Sequence, residues 1–319
     1  MSRSDPSVLV LGAGSAGARH ARNLLTLGAR VAVADPDDAR AHTVPGVEVV
    51  APDLDRLEGY DGIVVATPTA LHREHALAAL DSGARILVEK PLAASVAGLD
   101  ELVRAGAGRL TVGYNLRFHP PVERFRELVA SGRAGTPAVV HAWFGSWLAD
   151  WRPGTDYRTG YSARADLGGG ILNDASHELD LLVWLFGREW DVRGAVLATR
   201  SRLEIDVEDV AVALLRSADG LPAVVTLDAV SRRYRRGLEV VGDDATVRLD
   251  WARRVIEIED AAGVTVEQAT ESIEGSYRRE AESFLAFTRG TAGAAVSVEE
   301  AAVSVRLCSR IREMGEPRP

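Results

Sequence analysis

The chain has 319 residues, 46% hydrophobic and 26% charged, with a formal net charge of −9. That length predicts two domains and a large core, and the acidic balance excludes nucleic acid or an anionic membrane as the main partner. A single cysteine, Cys308, rules out an intrachain disulfide and a multi-cysteine metal site; its apolar neighbours Val303, Val305, Leu307 and Ile311 read as helix packing.

Residues 1–7 are short and polar and run straight into a strand. No signal-peptide pattern and no uncharged apolar run of bilayer length is present, so the expectation is a cytoplasmic protein with no membrane partner. Residues 8–11, Val-Leu-Val-Leu, form an apolar run of the kind buried on both faces of a sheet. Gly12-Ala13-Gly14-Ser15-Ala16-Gly17 follows at once and opens a helical pattern through Leu27. Strand, GxGxxG and helix in that order make a dinucleotide fingerprint. Gly12 permits the tight turn, Gly14 lets the backbone approach a pyrophosphate, and Gly17 allows close helix–strand packing. The helix start at Ser15 and Ala16 offers backbone N–H groups to the phosphates.

The next strand, 30–34, ends at Asp35, whose carboxylate suits the adenosine ribose hydroxyls and repels a 2′-phosphate. The expected cofactor is therefore NAD in preference to NADP. The pattern continues with strands at 47–50 and 62–67, a helix at 69–82, a strand at 85–88, a helix at 95–105 and a strand at 110–113. Alternation of this kind predicts a doubly wound parallel sheet, with ligands at the carboxyl ends of its strands. Thr67, Pro68 and Lys90 fall at such ends. Lys90, flanked by Glu89 and Pro91, has two readings: a group that contacts cofactor or substrate hydroxyl, or an ion pair with Glu89 in a loop.

At this point the chain resembles the GFO/IDH/MocA oxidoreductases. The resemblance rests on Gly12-x-Gly14-x-x-Gly17 with His20, on Ala66-Thr67-Pro68 with His72, and on Leu87-Val88-Glu89-Lys90-Pro91-Leu92. It extends through Gly113-Tyr114-Asn115-Leu116-Arg117-Phe118-His119-Pro120 and through Gly168-Gly169-Gly170 to Leu185-Phe186-Gly187. It implies a Rossmann domain over 1–118 and an α/β domain over 119–319 with a large, mostly antiparallel open sheet. The C-terminal helices are free to pack back on the first domain. It also implies assembly through that sheet as a homodimer or homotetramer. The catalytic lysine of the family maps onto Lys90, and its Asp and His map onto Asp174 and His177. Many members place four steps between that Asp and His, whereas three separate them here, which leaves Asp174 or Asp180 as the partner of His177. The implied cofactor-binding set is Gly12, Gly14, Ser15, Ala16, Gly17, Asp35, Thr67, Pro68, His72, Glu89 and Lys90.

Further along, 120–131 reads as a helix and 138–147 as a strand, followed by a long loop from Trp147 to Arg158 without regular structure, a feature that is usually functional. Trp143, Trp147, Trp151, Tyr157 and Tyr161 give it aromatic walls suited to sugar C–H faces. Arg152 and Arg158 leave room for an anionic substrate. The plainer reading makes the aromatics core and the arginines surface.

The glycine triplet 168–170 next suggests a loop whose backbone closes on a ligand. A helix follows, capped by Asn173 or Asp174, with Leu179, Leu182 and Phe186 on one face. Asp174 and His177, three apart, lie on the other. The same two residues read either as a cap and a structural histidine or as a catalytic pair. Arg117, Trp147, Trp151, Arg152, Tyr157, Arg158, Asn173 and His177 form the candidate substrate set.

From Trp190 the chain alternates strand and turn as an antiparallel meander, with strands at 192–198, 207–216, 221–229, 237–241, 245–249 and 255–258. The run Arg232-Arg233-Tyr234-Arg235-Arg236 reads as a solvated turn or as an ion-pairing surface for a neighbouring subunit. Helices at 276–289 and 297–313 close the chain. None of the seven histidines has metal-ligand spacing near a carboxylate, so no metal is expected.

The resulting expectation is a nicotinamide-dependent oxidoreductase for a secondary alcohol or ketone of a sugar, sugar acid, nucleotide sugar or cyclitol. His177 acts as base, Lys90 polarises the hydroxyl and Asp174 orients His177. Two alternatives use the same residues: an NAD-using glycosidase, epimerase or lyase with transient oxidation, and a non-catalytic cofactor-sensing protein.

Overall fold

A computed structural model describes residues 5–315; Met1–Ser4 of the polar N-terminal stretch and the last four residues lie outside the described chain. The chain divides into two compact units. One runs up to Asn115 and also includes Glu274–Val305; the other comprises Leu116–Ile273 and the chain from Arg306 onward.

The first unit contains β1 (Ser7–Leu11), α1 (Ser15–Thr26), β2 (Arg30–Ala34), α2 (Asp38–Ala41), β3 (Glu48–Val49) and β4 (Gly62–Val65). It continues with α3 (His72–Asp81), β5 (Arg85–Glu89), α4 (Leu99–Gly106) and β6 (Leu110–Gly113). The six strands make one sheet of order β3-β2-β1-β4-β5-β6, parallel at every pair. Val8, Ile63, Val64, Ile86 and Leu87 are essentially inaccessible, as continuous apolar strands covered on both faces must be. Two helix starts differ from the sequence reading. Pro68 turns the chain into a 3₁₀ turn, Thr69–Leu71, before α3 begins. The helix expected from Ser95 starts at Leu99, because Gly98 caps it in a left-handed conformation at φ +68°.

The second unit contains α5 (Pro120–Ala130), β7 (Pro137–Gly145), α6 (Ile171–Asp174), α7 (His177–Phe186), β8 (Trp190–Ala198) and β9 (Val210–Ser217). After these come β10 (Pro222–Asp228), β11 (Arg235–Gly242), β12 (Ala245–Asp250), β13 (Val255–Asp260) and β14 (Gly263–Gln268). Its sheet has the order β14-β13-β12-β11-β7-β10-β9-β8. It is not the simple meander that the spacing suggested. β7 is inserted between β11 and β10 and runs parallel to β10. β14 was not legible at all: its residues are nearly all exposed, as on an edge strand, so no apolar alternation marks it.

α8 (Ile273–Thr288) and α9 (Val298–Gly315) complete the chain. Ala281, Phe284, Leu285 and Phe287 of α8 share a core with Val8, Val10, Val31 and Val33. Val296, Val298, Ala301, Ala302 and Val305 share one with Ile86, Val88, Leu110 and Val112. The fit is close: a Cβ on Gly62 of β4 would stand 2.9 Å from the Phe284 ring. Each such aromatic contributes about 1.5–3 kcal/mol by burial, so 274–305 belongs physically to the parallel-sheet unit although the sequence division at 118/119 left it with the second domain.

Candidate active site

The glycine-rich turn after β1 is built from both sides. Gly12 has φ +93°, and a Cβ there would stand 2.6 Å from the Ala66 carbonyl oxygen. One on Gly17 would stand 1.8 Å from the Gly12 carbonyl oxygen. Gly14 is different. Nothing lies within 4 Å of the position its Cβ would take, so the protein leaves that approach open. Gly14 also caps α1, which has no side-chain cap and no acidic residue in its first turn, so its first N–H groups are available to an anion. These features fit a dinucleotide pyrophosphate. Gly14, Ser15, Arg19, Arg22, Arg40 and Thr43 line a cavity of about 630 Å³ beside this turn.

Asp35, 7% exposed, holds the turn in shape. Its carboxylate accepts from the Ala13 N–H at 2.7 Å and the Asp37 N–H at 2.8 Å, and Arg40 stands 3.7 Å away. Each oxygen keeps a second lone-pair direction, so the carboxylate remains able to accept ribose hydroxyls.

At the carboxyl end of β5 the Lys90–Pro91 peptide is cis. Glu89 accepts from the Lys90 N–H at 3.1 Å, and its other oxygen is 2.8 Å from His20 Nε2. Burial acts to raise the pKa of Glu89, but the His20 hydrogen bond and the charges of His20, Lys90 and His72 outweigh it and hold the carboxyl ionised, below its ordinary value. The same turn is braced by His72, 1% exposed, whose ring nitrogens lie 2.8 Å from the Pro91 carbonyl and 2.9 Å from the Thr67 carbonyl. His72 is therefore committed to main chain rather than to a cofactor. Burial lowers its pKa against those two bonds. The Thr67 hydroxyl lies 3.1 Å from His75 Nδ1. Sequence reading missed Glu280 on α8. It is 3% exposed, neither oxygen has a hydrogen-bond partner, and burial together with the Glu89 carboxylate raises its pKa well above the ordinary value.

In the second unit the glycine triplet serves the chain itself. Gly168 and Gly170 have φ of +79° and +102°. A Cβ on Gly169 would stand 2.1 Å from the Tyr161 carbonyl oxygen, and one on Gly170 would stand 2.5 Å from the Glu208 carboxylate. The close approach expected toward a ligand is made instead to residues 161–164 and 208. Asn173, 3% exposed, donates its amide to the Gly168 carbonyl at 2.9 Å, which turns it from the substrate set into a brace.

Asp174 and His177 do not share a helix face as their spacing implied. Asp174 is the last residue of the one-turn α6, Ala175 ends that helix, and Ser176, not Asn173 or Asp174, stands at the N-cap of α7, where His177 is the first helical residue. α7 then carries Glu178 and Asp180, 1% and 0% exposed. Each is held bidentately. Arg117 reaches Asp180 at 2.9 and 2.7 Å, and Arg236 reaches Glu178 at 2.6 and 3.1 Å. Arg117 thus belongs to a buried ion pair rather than to a substrate contact. Both oxygens of Asp180, the alternative partner for His177, are engaged by it. Tyr161, read from the sequence as an aromatic wall of the loop, neighbours Asp174 as well: burial, followed by that carboxylate, raises its pKa, so it stays a donor.

The loop from Trp147 to Arg158 is less irregular than expected, being a chain of single 3₁₀ turns at Leu148–Asp150, Tyr157–Thr159, Tyr161–Ala163 and Ala165–Leu167. Its candidates separate into two groups. The Tyr157 hydroxyl accepts from the Glu204 N–H at 3.2 Å. Arg158 is bound to Asp156 at 2.8 Å and to Glu204 at 3.2 Å, so both side chains are engaged within the chain. Trp151 packs edge-on to Phe144, with its buried indole N–H unpartnered. Arg152 lies over the Tyr161 ring at 5.1 Å, and Arg232 over Trp147 at 3.7 Å. The basic run 232–236 is thus in part internal, since Arg235 pairs with Asp228 and Arg236 with Glu178.

Residues 7–112 match the oxidoreductase family with an NAD-binding Rossmann fold, and residues 122–248 match the GFO/IDH/MocA C-terminal domain. The chain belongs to the GFO/IDH/MocA oxidoreductases. It is 32% identical to inositol 2-dehydrogenase of Rubrobacter xylanophilus over 259 residues, covering 76% of this chain and 71% of that protein. Identity is also 32% to inositol 2-dehydrogenase 1 of Saccharopolyspora erythraea over 336 residues, covering 97% and 94%. Levoglucosan dehydrogenase in complex with NADH and levoglucosan shares the fold at TM-score 0.84 and 21% identity, with 98% and 97% of the two chains covered. Myo-inositol 2-dehydrogenase from Lactobacillus plantarum does so at 0.83 and 20%, with the same coverage. Like its family, this oxidoreductase has the NAD-binding Rossmann unit and an open sheet. No helix among the described residues is long and apolar enough to cross a membrane. Among those residues no group of three or more His, Cys, Asp or Glu side chains could hold a metal ion.

Proposed function

We propose that this GFO/IDH/MocA protein oxidises a secondary hydroxyl of a sugar, sugar acid, nucleotide sugar or cyclitol to the ketone, and catalyses the reverse reduction. NAD, held at Gly12, Gly14, Ser15, Ala16, Gly17 and Asp35, supplies the hydride acceptor when bound. His177 takes the hydroxyl proton as general base. Lys90 donates a hydrogen bond to the same oxygen and stabilises negative charge as it develops. Asp174 fixes the tautomer of His177 and favours its charged form. In reduction His177 returns the proton.

The observation that carries this reading is the pairing pattern on α7. Glu178 and Asp180 are each held as carboxylates by an arginine, and His177 stands at the first position of the same helix, which supports it as the group that moves the proton. The same pattern supports Asp174, rather than Asp180, as the residue that orients it. Relatives and neighbours whose names refer to inositol and levoglucosan support a polyol. The test is a panel of cyclitols, sugars, sugar acids and nucleotide sugars with NAD and NADP: one compound should be converted with one NADH released per ketone formed. Conversion of substrate without accumulation of NADH would overturn net oxidation.

The carboxylate of Asp35 at the end of β2 supports NAD over NADP, because a 2′-phosphate there meets a negative charge; faster turnover with NADP would contradict it. A homodimer or homotetramer in the cytoplasm is part of the same proposal. The paired Val196 and Val212, 61% and 38% exposed, and Leu214, 45% exposed, put an apolar patch on β8 and β9 of the kind that marks an association surface. Light scattering that gives a monomer would remove it.

A further inference from the structure

The two loop arginines that the sequence presented as equivalent are not equivalent in the structure. Arg158 is half exposed and bound to Asp156 and Glu204. Arg164, six residues on, is bound to Asp166. Arg152 is partly buried, and among the described residues no carboxylate pairs with it. Its guanidinium carbon lies 5.1 Å from the centre of the Tyr161 ring. That ring lies toward the reaction centre, since the Asp174 carboxylate acts on the Tyr161 hydroxyl and raises its pKa. The backbone there is closely packed: Gly169, lacking a Cβ, lets the Tyr161 carbonyl sit directly against the loop that leads into α6.

A guanidinium over an aromatic face is stabilised there through its charge, while its N–H donors are not used up. A partly buried cation with unspent donors, one aromatic ring away from a catalytic carboxylate, matches a planar oxyanion. It also solves an electrostatic problem. An anionic substrate is repelled by Asp174, and Arg152 offsets that repulsion; a neutral polyol has no use for such a cation.

We infer that Arg152 anchors an oxyanion on the substrate, so that the preferred substrate is a sugar or cyclitol bearing a carboxylate or a phosphate rather than a neutral one. This rests on the oxidation proposed above at Asp174 and His177. Arg152 acts as a specificity-determining contact, distant from the atoms that react.

The experiment compares kcat/KM for matched neutral, uronate and sugar-phosphate forms of one sugar, using NAD and the wild-type protein, Arg152→Gln and Arg152→Lys. NADH binding verifies that each variant is folded. The wild type should favour one of the two anionic forms, and which one it favours separates a sugar acid from a phosphorylated sugar. Arg152→Gln should lower kcat/KM for that form by about 10- to 100-fold, the loss of a charged hydrogen bond, and for the neutral form by less than about threefold; Arg152→Lys should recover part of the loss. A wild type that favours the neutral sugar, or an Arg152→Gln variant that loses activity equally on all forms, overturns the anchor while leaving oxidation intact. If no form is oxidised, binding of the same compounds is read from tryptophan fluorescence. Anion binding that depends on Arg152 then upholds the anchor and rejects the oxidation, and binding that does not depend on it rejects the anchor.

Discussion

Gly12–Gly17 and Gly168–Gly170 are both glycine runs that lead into a helix, yet what a Cβ would meet in them differs. In the first run the middle glycine faces open space. In the second the middle glycine is pressed against the Tyr161 carbonyl. One glycine is absent-minded of the protein and receptive to a ligand; the other is the condition for two loops of the same chain to touch. Buried charge follows a similar contrast. On α7 the buried carboxylates Glu178 and Asp180 are each held by an arginine, whereas Glu280 of the first unit has no hydrogen-bond partner and is pushed toward its neutral form. A glycine motif or a buried acid therefore takes its meaning from what stands opposite it.

The largest expected effect comes from breaking a matched pair. Arg117→Met strands the Asp180 carboxylate, and urea unfolding should show a loss of about 3–5 kcal/mol. Adding Asp180→Leu should recover most of it, because apolar replacements of a buried pair are often neutral. Next in size is the contrast between the glycines. Gly169→Ala should cost about 1–3 kcal/mol by overpacking. Gly14→Ala should leave stability within about 0.5 kcal/mol while NAD affinity, measured by fluorescence titration, falls at least about tenfold. Equal melting temperatures for the two variants would erase the distinction.

The smallest effect concerns Glu280. Its folded pKa is raised by burial and by Glu89, so between its unfolded value near 4.5 and that raised value the unfolded chain binds fewer protons than the folded one. Stability is therefore lost as pH rises through that window. Glu280→Gln should remove the slope, raising the melting temperature at pH 8 and leaving it unchanged near pH 4. A rise of the same size at both pH values would contradict the assignment.

These differences also mark what the sequence made legible. The first unit was readable because its signals are local: apolar strands, a glycine fingerprint and turn residues lie within a few positions of the features they specify. The site on α7 was not. Arg117 and Asp180 are 63 residues apart, and Glu178 and Arg236 are 58 apart, so no periodicity shows that they meet. The helix break at Ala175-Ser176 was hidden because Asp174-Ala-Ser-His177 is compatible with a continuous helix, and only the non-helical backbone of Ala175 separates α6 from α7. The insertion of β7 beside β10 is a non-local pairing, equally invisible to alternation. Glu280 had no motif at all; burial and a carboxyl without a hydrogen-bond partner are what single it out.

The central claim is that Lys90 and His177 serve one oxidation. It is tested most directly by NADH formation from the substrate found in the panel, measured for the wild type, Lys90→Ala and His177→Ala at equal NAD occupancy. The account expects each variant to lose about 10²–10⁴-fold in kcat, the range for removing a general base or a charge-stabilising donor, with NADH binding intact. Wild-type turnover in both variants would contradict it.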